Sequence, residues 1–342
     1  MDNKLKSIAV VVPARNEEKY IAMLLDSIIA TTYPKHLLTI LVCDGMSDDQ
    51  TAKIVNAYAE INTWIRLLKN ENKTTPYAFN LGIAHSNNAD IIITLGAHAE
   101  VYPDFFDTIV TAFEKSPEIG CVGGVLENVY ENATAETIGL AMSSSFGVGN
   151  AHFRTGNTEG YVDTVGFPAY KKEVFEKAGL FNQNLTRNQD DEFNYRVSKA
   201  GFKIYLSKSI RSKYYVRGSY DKLSKQYFQY GYWKVYVNKL HKTVTSTRQL
   251  VPPAFVLFLA LGFIVALCSV FMAGFYLAVL LMYFVAAFYF AAKTTNSGDK
   301  TPKVVWCFLI LHCSYGYGYL KGILDFSILG KKPSDKAENL TR

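Results

Sequence analysis

Acidic residues are missing from a long part of this chain. Between Lys222 and Gly298 there is no Asp or Glu, while six Lys or Arg residues fall between Lys222 and Arg248. From Ala254 to Ala292, 39 residues carry no charge of either sign. A basic run leading into an uninterrupted apolar one points to anionic lipid headgroups and argues against nucleic acid as the partner. Cysteine is scarce: Cys43, Cys121, Cys268, Cys307 and Cys313 show no paired spacing. That excludes a disulfide framework and a zinc site, and it fits a reducing compartment. No GxGxxG follows the first apolar strand and no GxxxxGK[ST] occurs, which argues against a dehydrogenase or a P-loop ATPase. Any ligand must be held by side chains and isolated loop amides. The first apolar run, Ile8 to Val12, is too short for a secretory signal.

What is present is enough for a full core: 342 residues, 49% apolar, with a modest net charge of +6. Since one span takes about 20 apolar residues, the uncharged stretch reads as two closely spaced spans turning near Ala273-Gly274. Val304 to Leu320 is a third apolar stretch, either a third span or a segment at the interface; three spans is the preferred reading. Lys293, Lys300 and Lys303 place the intervening connection on the cytoplasmic side by the positive-inside rule.

The amino-terminal half alternates strand and helix. Ser7 to Val12 is β-branched and closes at Pro13; Ile21, Leu24, Leu25, Ile28 and Ile29 then follow the helical template. Thr39 to Cys43, Trp64 to Leu68, Ile91 to Leu95 and Ile119 to Val122 read as further strands. Helices are expected from Ser47 to about Ile61, from Thr75-Pro76 onward, and from Pro103 to Lys115. The fold class is therefore α/β, with a doubly wound, mainly parallel sheet. Ligands bind such sheets outside the carboxyl ends of the strands. Polar groups collect there: Arg15, Asn16 and Glu17 after the first strand, Asp44 after the second, His98 and Glu100 after the fourth.

Arg187-Asn188-Gln189-Asp190-Asp191-Glu192-Phe193-Asn194-Tyr195-Arg196 sets three adjacent carboxylates at a helix start. Asn188 suits the N-cap, Phe193 and Val197 a core, and Gly201 the helix end. Unpaired first-turn N–H groups favour ionised Asp190 and Asp191, and an ionised carboxylate beside a pocket can take a proton from a hydroxyl. Ser143 to Phe153 reads as a flexible loop, and the aromatic run from Tyr227 to Tyr236 as an interfacial helix.

Val10-Val11-Val12-Pro13-Ala14-Arg15-Asn16-Glu17-Glu18, Val42-Cys43-Asp44-Gly45-Met46-Ser47-Asp48-Asp49, Ala97-His98-Ala99 and the stretch from Asn188 to Arg196 together resemble family 2 glycosyltransferases of GT-A fold. The likeness is closest to membrane-bound bacterial exopolysaccharide enzymes of the succinoglycan type. Gln226-Tyr227-Phe228-Gln229-Tyr230-Gly231-Tyr232-Trp233 resembles the family's Gln…Trp segment near the membrane. The resemblance implies a nucleotide-sugar donor, a UDP-sugar foremost. Pro13, Ala14, Arg15, Asn16, Glu17, Asp44, Lys73 and Ala97 would then line the donor pocket. Asp190 would be the general base with Asp191 as second choice, and Gln226 and Trp233 would lie on the acceptor side. The acceptor would be a lipid-linked saccharide, reached from the cytoplasmic face of a bacterial inner (plasma) membrane by a multi-pass protein.

One position departs from the family pattern. The Asp-x-Asp metal motif reads Gly96-Ala97-His98 here. The resemblance implies a divalent metal, Mn2+ or Mg2+; His98 suits Mn2+ and fits Mg2+ poorly, with Glu100 as a further oxygen ligand. The expected organisation is a GT-A domain over 1–217, with a nucleotide-sugar half at about 1–125 and an acceptor half at about 126–217. A basic aromatic interfacial segment at 218–250, a transmembrane region at 251–330 and a polar tail at 331–342 follow.

Overall fold

The computed structural model describes residues 5–216, 218–245, 247–295 and 298–333. Along the chain run β1 (Ile8–Ala14), α1 (Ile21–Ile29), β2 (Leu38–Asp44), α2 (Thr51–Ile61), β3 (Ile65–Lys69), α3 (Thr75–Ala84), β4 (Ile91–Thr94), β5 (Ala99–Val101) and α4 (Phe105–Glu114). Next come β6 (Ile119–Val129), α5 (Ala133–Met142), α6 (Ser145–Val148), α7 (His152–Thr155), β7 (Gly160–Tyr161), β8 (Gly166–Lys171), α8 (Lys172–Ala178), α9 (Gln189–Lys199) and β9 (Lys203–Tyr215). The helices α10 (Tyr220–His241), α11 (Val251–Ala266), α12 (Val270–Thr294) and α13 (Thr301–Gly322) complete the order. Two compact units result: 1–129 with 152–215, and 130–151 with 216–342. The boundary after 215 lies close to the one expected at 217. Residues 130–151, by contrast, group with the carboxyl-terminal unit, whereas the sequence reading kept them in the acceptor half. The tail beyond 333 lies outside the described residues.

In the first unit one sheet runs β3-β2-β1-β4-β8-β6-β9-β5, with β7 on β9. The pairs among β1 to β4 are parallel, as the alternation implies. β8 then enters antiparallel between β4 and β6, and β5 pairs antiparallel with β9. The carboxyl half of the sheet is therefore mixed, and β5, β7, β8 and β9 have no counterpart in the sequence reading. Strands β1 and β2 read as continuous apolar runs because both faces are covered. Val10, Val12, Ile40 and Val42 pack with Leu24, Leu25, Phe106 and Ile109 of α1 and α4. Ala9, Val11, Leu41 and Cys43 pack with α3 and the group of Phe175, Phe181, Phe193 and Val197. Burial pushes the Cys43 thiol up to about 12 and raises that of Cys121 well above its usual value, so neither is a reactive thiol.

In the second unit α11 and α12 form an apolar hairpin. Its turn falls at 267–269, where the Ser269 hydroxyl accepts from the Met272 N–H at 3.1 Å, and not at Ala273-Gly274. The N-cap hydroxyl fixes where α12 starts. Two helices here are long and apolar enough to cross a membrane, Thr247–Ala266 and Val270–Thr294, and both leave most of their side chains exposed. At 1.5 Å per residue α12 is about 37 Å long, more than the roughly 30 Å of a hydrocarbon core.

The expected third span is not of this kind. Helix α13 packs on α11, with Gly316 against Pro252 and Val256 at the start of α11, and it buries Val304, Val305, Phe308, Leu311 and Tyr319. Its main partner is α10, whose aromatic residues turn inward: Trp233 is 1% exposed, and Tyr232, Trp233 and Tyr236 surround Phe326. This aromatic run is helix core. The stretch from Ser143 to Phe153 is not a loose loop either. Phe146 sits among Tyr283, Phe290, Phe308 and His312, and its carbonyl lies 2.9 Å from His312 Nε2.

Candidate active site

Because β1, β2, β3 and β4 are parallel, their carboxyl ends share one edge of the first unit. The loops there are stitched together by hydrogen bonds from backbone N–H groups. Gly45 N–H donates to the Ala14 carbonyl at 2.7 Å, Asn16 N–H to Ser47 Oγ at 2.9 Å, and Glu17 N–H to Thr51 Oγ1 at 2.8 Å. A Cβ at Gly45 would meet the Lys73 carbonyl at 3.0 Å and Arg15 Cβ at 3.3 Å, so glycine lets three loops converge. Asp44, 7% exposed, accepts from Ser47 Oγ at 2.5 Å. Pro13 and Ala14 are residues of β1 itself, and the Ala97 side chain lies in the core, so these can serve a ligand only through backbone or shape.

Backbone strain concentrates at the same edge. Asn16, Met46, Lys73, Phe167 and Asn188 all have positive φ, between 45° and 63°. Asn tolerates this conformation; Met, Lys and Phe do so rarely, and such outliers cluster at functional sites. Two buried polar atoms here, Arg15 Nε and the Thr74 Oγ1 next to Lys73, have no hydrogen-bond partner among the described residues. Thr74 was not singled out in the sequence.

Helix α9 is linked to the strand that starts beside this edge. β8 runs antiparallel to β4, so its start at Gly166 lies by the carboxyl end of β4, where a Cβ at Gly96 would meet the Phe167 ring at 3.2 Å. Thr164, two residues before Gly166, accepts from Asn194 Nδ2 at 3.3 Å, which ties the middle of α9 to the start of β8. Asn188 occupies the N-cap but in left-handed conformation, without the side-chain cap bond the sequence suggested.

The three carboxylates of α9 differ sharply. Glu192 is 3% exposed and held bidentately by Arg196, with Nε to Oε1 and Nη2 to Oε2 both 2.8 Å. Arg196 also donates to the Ala178 and Leu180 carbonyls. Asp190 is exposed and Asp191 half-buried. The loop before α9 is pinned by Asn80, which donates to the Phe181 carbonyl and accepts from its N–H, both at 2.9 Å. Arg196→Ala should cost about 3–5 kcal/mol, because it strands a buried charge; a denaturant midpoint like that of wild type would refute this. Asn80→Ala should cost about 1–3 kcal/mol by leaving two backbone groups unsatisfied, read in the same titration.

His98 lies where the family pattern places a metal ligand. Its Nδ1 is 3.6 Å from Glu17 Oε1, and its ring packs edge-on against Tyr214 at 5.3 Å and Tyr20 at 6.5 Å. Glu100, the expected additional oxygen ligand, is engaged elsewhere, by Lys213 Nζ at 3.2 Å and the Tyr215 hydroxyl. Among the described residues no three His, Cys, Asp or Glu side chains converge on one point. Glycine at 96 and one imidazole do not fit a metal held by the chain itself. Arg154 on α7 packs on the same Tyr214 ring, its guanidinium 5.4 Å away. It was overlooked in the sequence, although it is the only Lys, Arg, Asp or Glu between Glu136 and Glu159. Gln226 and Trp233 are buried residues of α10 in the second unit.

Residues 9–179 match the model of the family described as glycosyl transferase family 2. The chain belongs to this family. It is 30% identical over 325 residues to the dolichyl N-acetyl-alpha-D-glucosaminyl phosphate 3-beta-D-2,3-diacetamido-2,3-dideoxy-beta-D-glucuronosyltransferase of Methanococcus voltae, covering 93% of this chain and 97% of that one. It is 25% identical over 327 residues to the succinoglycan biosynthesis protein ExoA of Rhizobium meliloti, at 94% and 96% coverage. Among solved structures, a Pyrobaculum calidifontis mannosyltransferase in complex with GDP-Man and Mn2+ superposes with a TM-score of 0.62 at 18% identity, over 95% of this chain and 89% of that one. The fold is thus GT-A, followed by carboxyl-terminal helices, and the family 2 chain is a glycosyltransferase, in keeping with the resemblance.

Proposed function

We propose that this glycosyltransferase moves a hexose from a nucleotide-diphosphate sugar, a UDP-sugar foremost, to a lipid-linked saccharide, with inversion at the anomeric carbon. One observation supports the reading: α9, which carries Asp190 and Asp191 in its first turn, is tied through Asn194 to Thr164, just before the start of β8 by the carboxyl end of β4 that leads to His98. Asp44 would accept from the base, with Arg15, Asn16, Glu17, Lys73 and Thr74 around the nucleotide. Asp190, or Asp191 beside it, takes the acceptor hydroxyl proton as that oxygen attacks the anomeric carbon from the side opposite the diphosphate.

The lipid-linked acceptor is supported by the relatives. One is named for transfer to a dolichyl-phosphate-linked sugar, the other for succinoglycan synthesis. It is supported too by the apolar hairpin, because an enzyme working on a lipid that stays in the bilayer gains by being anchored there. In this reading the hairpin crosses a bacterial plasma membrane and the first unit is cytoplasmic.

A panel of nucleotide sugars, assayed by nucleoside diphosphate release, tests the donor class. Polyprenyl monophosphate and a polyprenyl-linked saccharide, offered in parallel, test the acceptor. Turnover with the saccharide alone is the expected result. Transfer to bare polyprenyl monophosphate would overturn the acceptor assignment, and binding without turnover across the panel would overturn the enzymatic one.

A further inference from the structure

We infer that Arg154 carries the charge of the departing diphosphate, the task that a metal serves where the Asp-x-Asp motif is intact. The inference rests on the glycosyl-transfer reading above. It starts from the mismatch at residue 96: Gly96 supplies no carboxylate, Glu100 is bound to Lys213 and Tyr215, and His98 after β4 has Glu17 of the loop after β1 beside it at 3.6 Å. A site that has lost its carboxylates loses affinity for a hard cation, but the leaving group's charge still has to be met.

The sheet register supplies the alternative. Tyr214 of β9 pairs with Ala99 of β5, the residue next to His98. The ring of Tyr214 touches His98 at 5.3 Å and the Arg154 guanidinium at 5.4 Å. α7 is placed there by its packing along β6, with Gly156 facing Val125, and β6 pairs with β9 through Asn128↔Tyr214. Phe153 adds a second ring, 5.3 Å from the guanidinium. An aromatic shelf holds a planar guanidinium in one orientation and lowers the entropy lost when it binds an anion. Guanidinium forks match phosphate oxygens bidentately.

In the reaction, a lone pair on the acceptor hydroxyl forms the new bond to the anomeric carbon. The bond from that carbon to the β-phosphate oxygen breaks, and its electron pair stays on that oxygen. The hydroxyl proton passes to the carboxylate at 190 or 191. The nucleoside diphosphate leaves with one more negative charge than it carried as an ester, and Arg154 offsets that charge by hydrogen bonding without giving up a proton.

The test is nucleotide affinity in EDTA, by calorimetry on the full-length protein in detergent, using UDP, GDP and their monophosphates. Wild type should bind the preferred diphosphate at least about tenfold more tightly than its monophosphate, one good charge-assisted contact being worth that much. In Arg154→Ala the gap should vanish while monophosphate affinity stays. Arg154→Lys should restore part of it, since a point charge replaces a fork. A gap that appears only with added Mn2+, or that survives in Arg154→Ala, overturns the assignment. A folded variant is verified by an unchanged melting profile; should Arg154→Ala unfold, Arg154→Lys and Arg154→Gln decide by the same gap. Because the readout is binding, it stands apart from the donor and acceptor assays: absence of turnover would sink the transferase reading and leave this result intact.

Discussion

Asp190→Asn and Asp191→Asn, made singly, are expected to give one variant that turns over about 10²–10⁴-fold more slowly than wild type, the range for losing a general base. The other should be much milder. Asparagine keeps the shape of the side chain and the helix start but has no affinity for the acceptor proton. The structure makes the comparison clean, because Glu192, the third carboxylate of the run, is already committed to Arg196 and cannot take over. Initial rates at saturating donor and acceptor separate the two. Equal and undiminished rates in both would place the base elsewhere and undo the assignment of this edge. The slow variant should keep its donor affinity, since proton abstraction contributes to the transition state and not to nucleotide binding.

The second large effect is expected where α10 and α13 touch. A Cβ on Gly231 would stand 2.0 Å from the Tyr315 carbonyl oxygen, and one on Gly318 2.1 Å from that of Phe228. These are backbone-to-backbone approaches, so no side-chain rotation relieves them. Gly231→Leu and Gly318→Leu should each destabilise the helical unit by about 3 kcal/mol, the upper part of the usual range for overpacking. Gly274→Leu in α12 is the matched control, since nothing lies within 4 Å of its Cβ position. Thermal melts in detergent are the measurement. If Gly231→Leu melts with Gly274→Leu, the close helix contact is not what holds this unit together.

Much of the site was legible because short-range chemistry wrote it. Strand β1 ends at Ala14 and β2 at Asp44, one or two residues beyond the apolar runs that predicted them. Phe193 and Val197 are core residues, and the helix stops before Gly201, whose φ is +90°. What stayed hidden depends on pairing across long sequence separations. Strand β9 is polar and basic, KIYLSKSIRSKYY, and looks like surface until β5, β6 and β7 flank it. Arg154 is one residue in a glycine-containing segment until β9 brings Tyr214 under it. The three carboxylates at 190–192 are chemically alike in sequence, and only the approach of Arg196 and the 178–180 carbonyls singles out Glu192.

The sequence by itself determined the α/β alternation, the edge where polar groups gather, the apolar hairpin and the family. Each of these follows from periodicity or from residues adjacent in the chain. The tertiary structure decided the mixed half of the sheet, the placement of 130–151 with the terminal helices, and the inward turn of the α10 aromatics. It also decided which acid is sealed and which cation shares the Tyr214 ring with His98. Those outcomes depend on which distant groups exclude water from one another, and hydrophobic burial is blind to order along the chain.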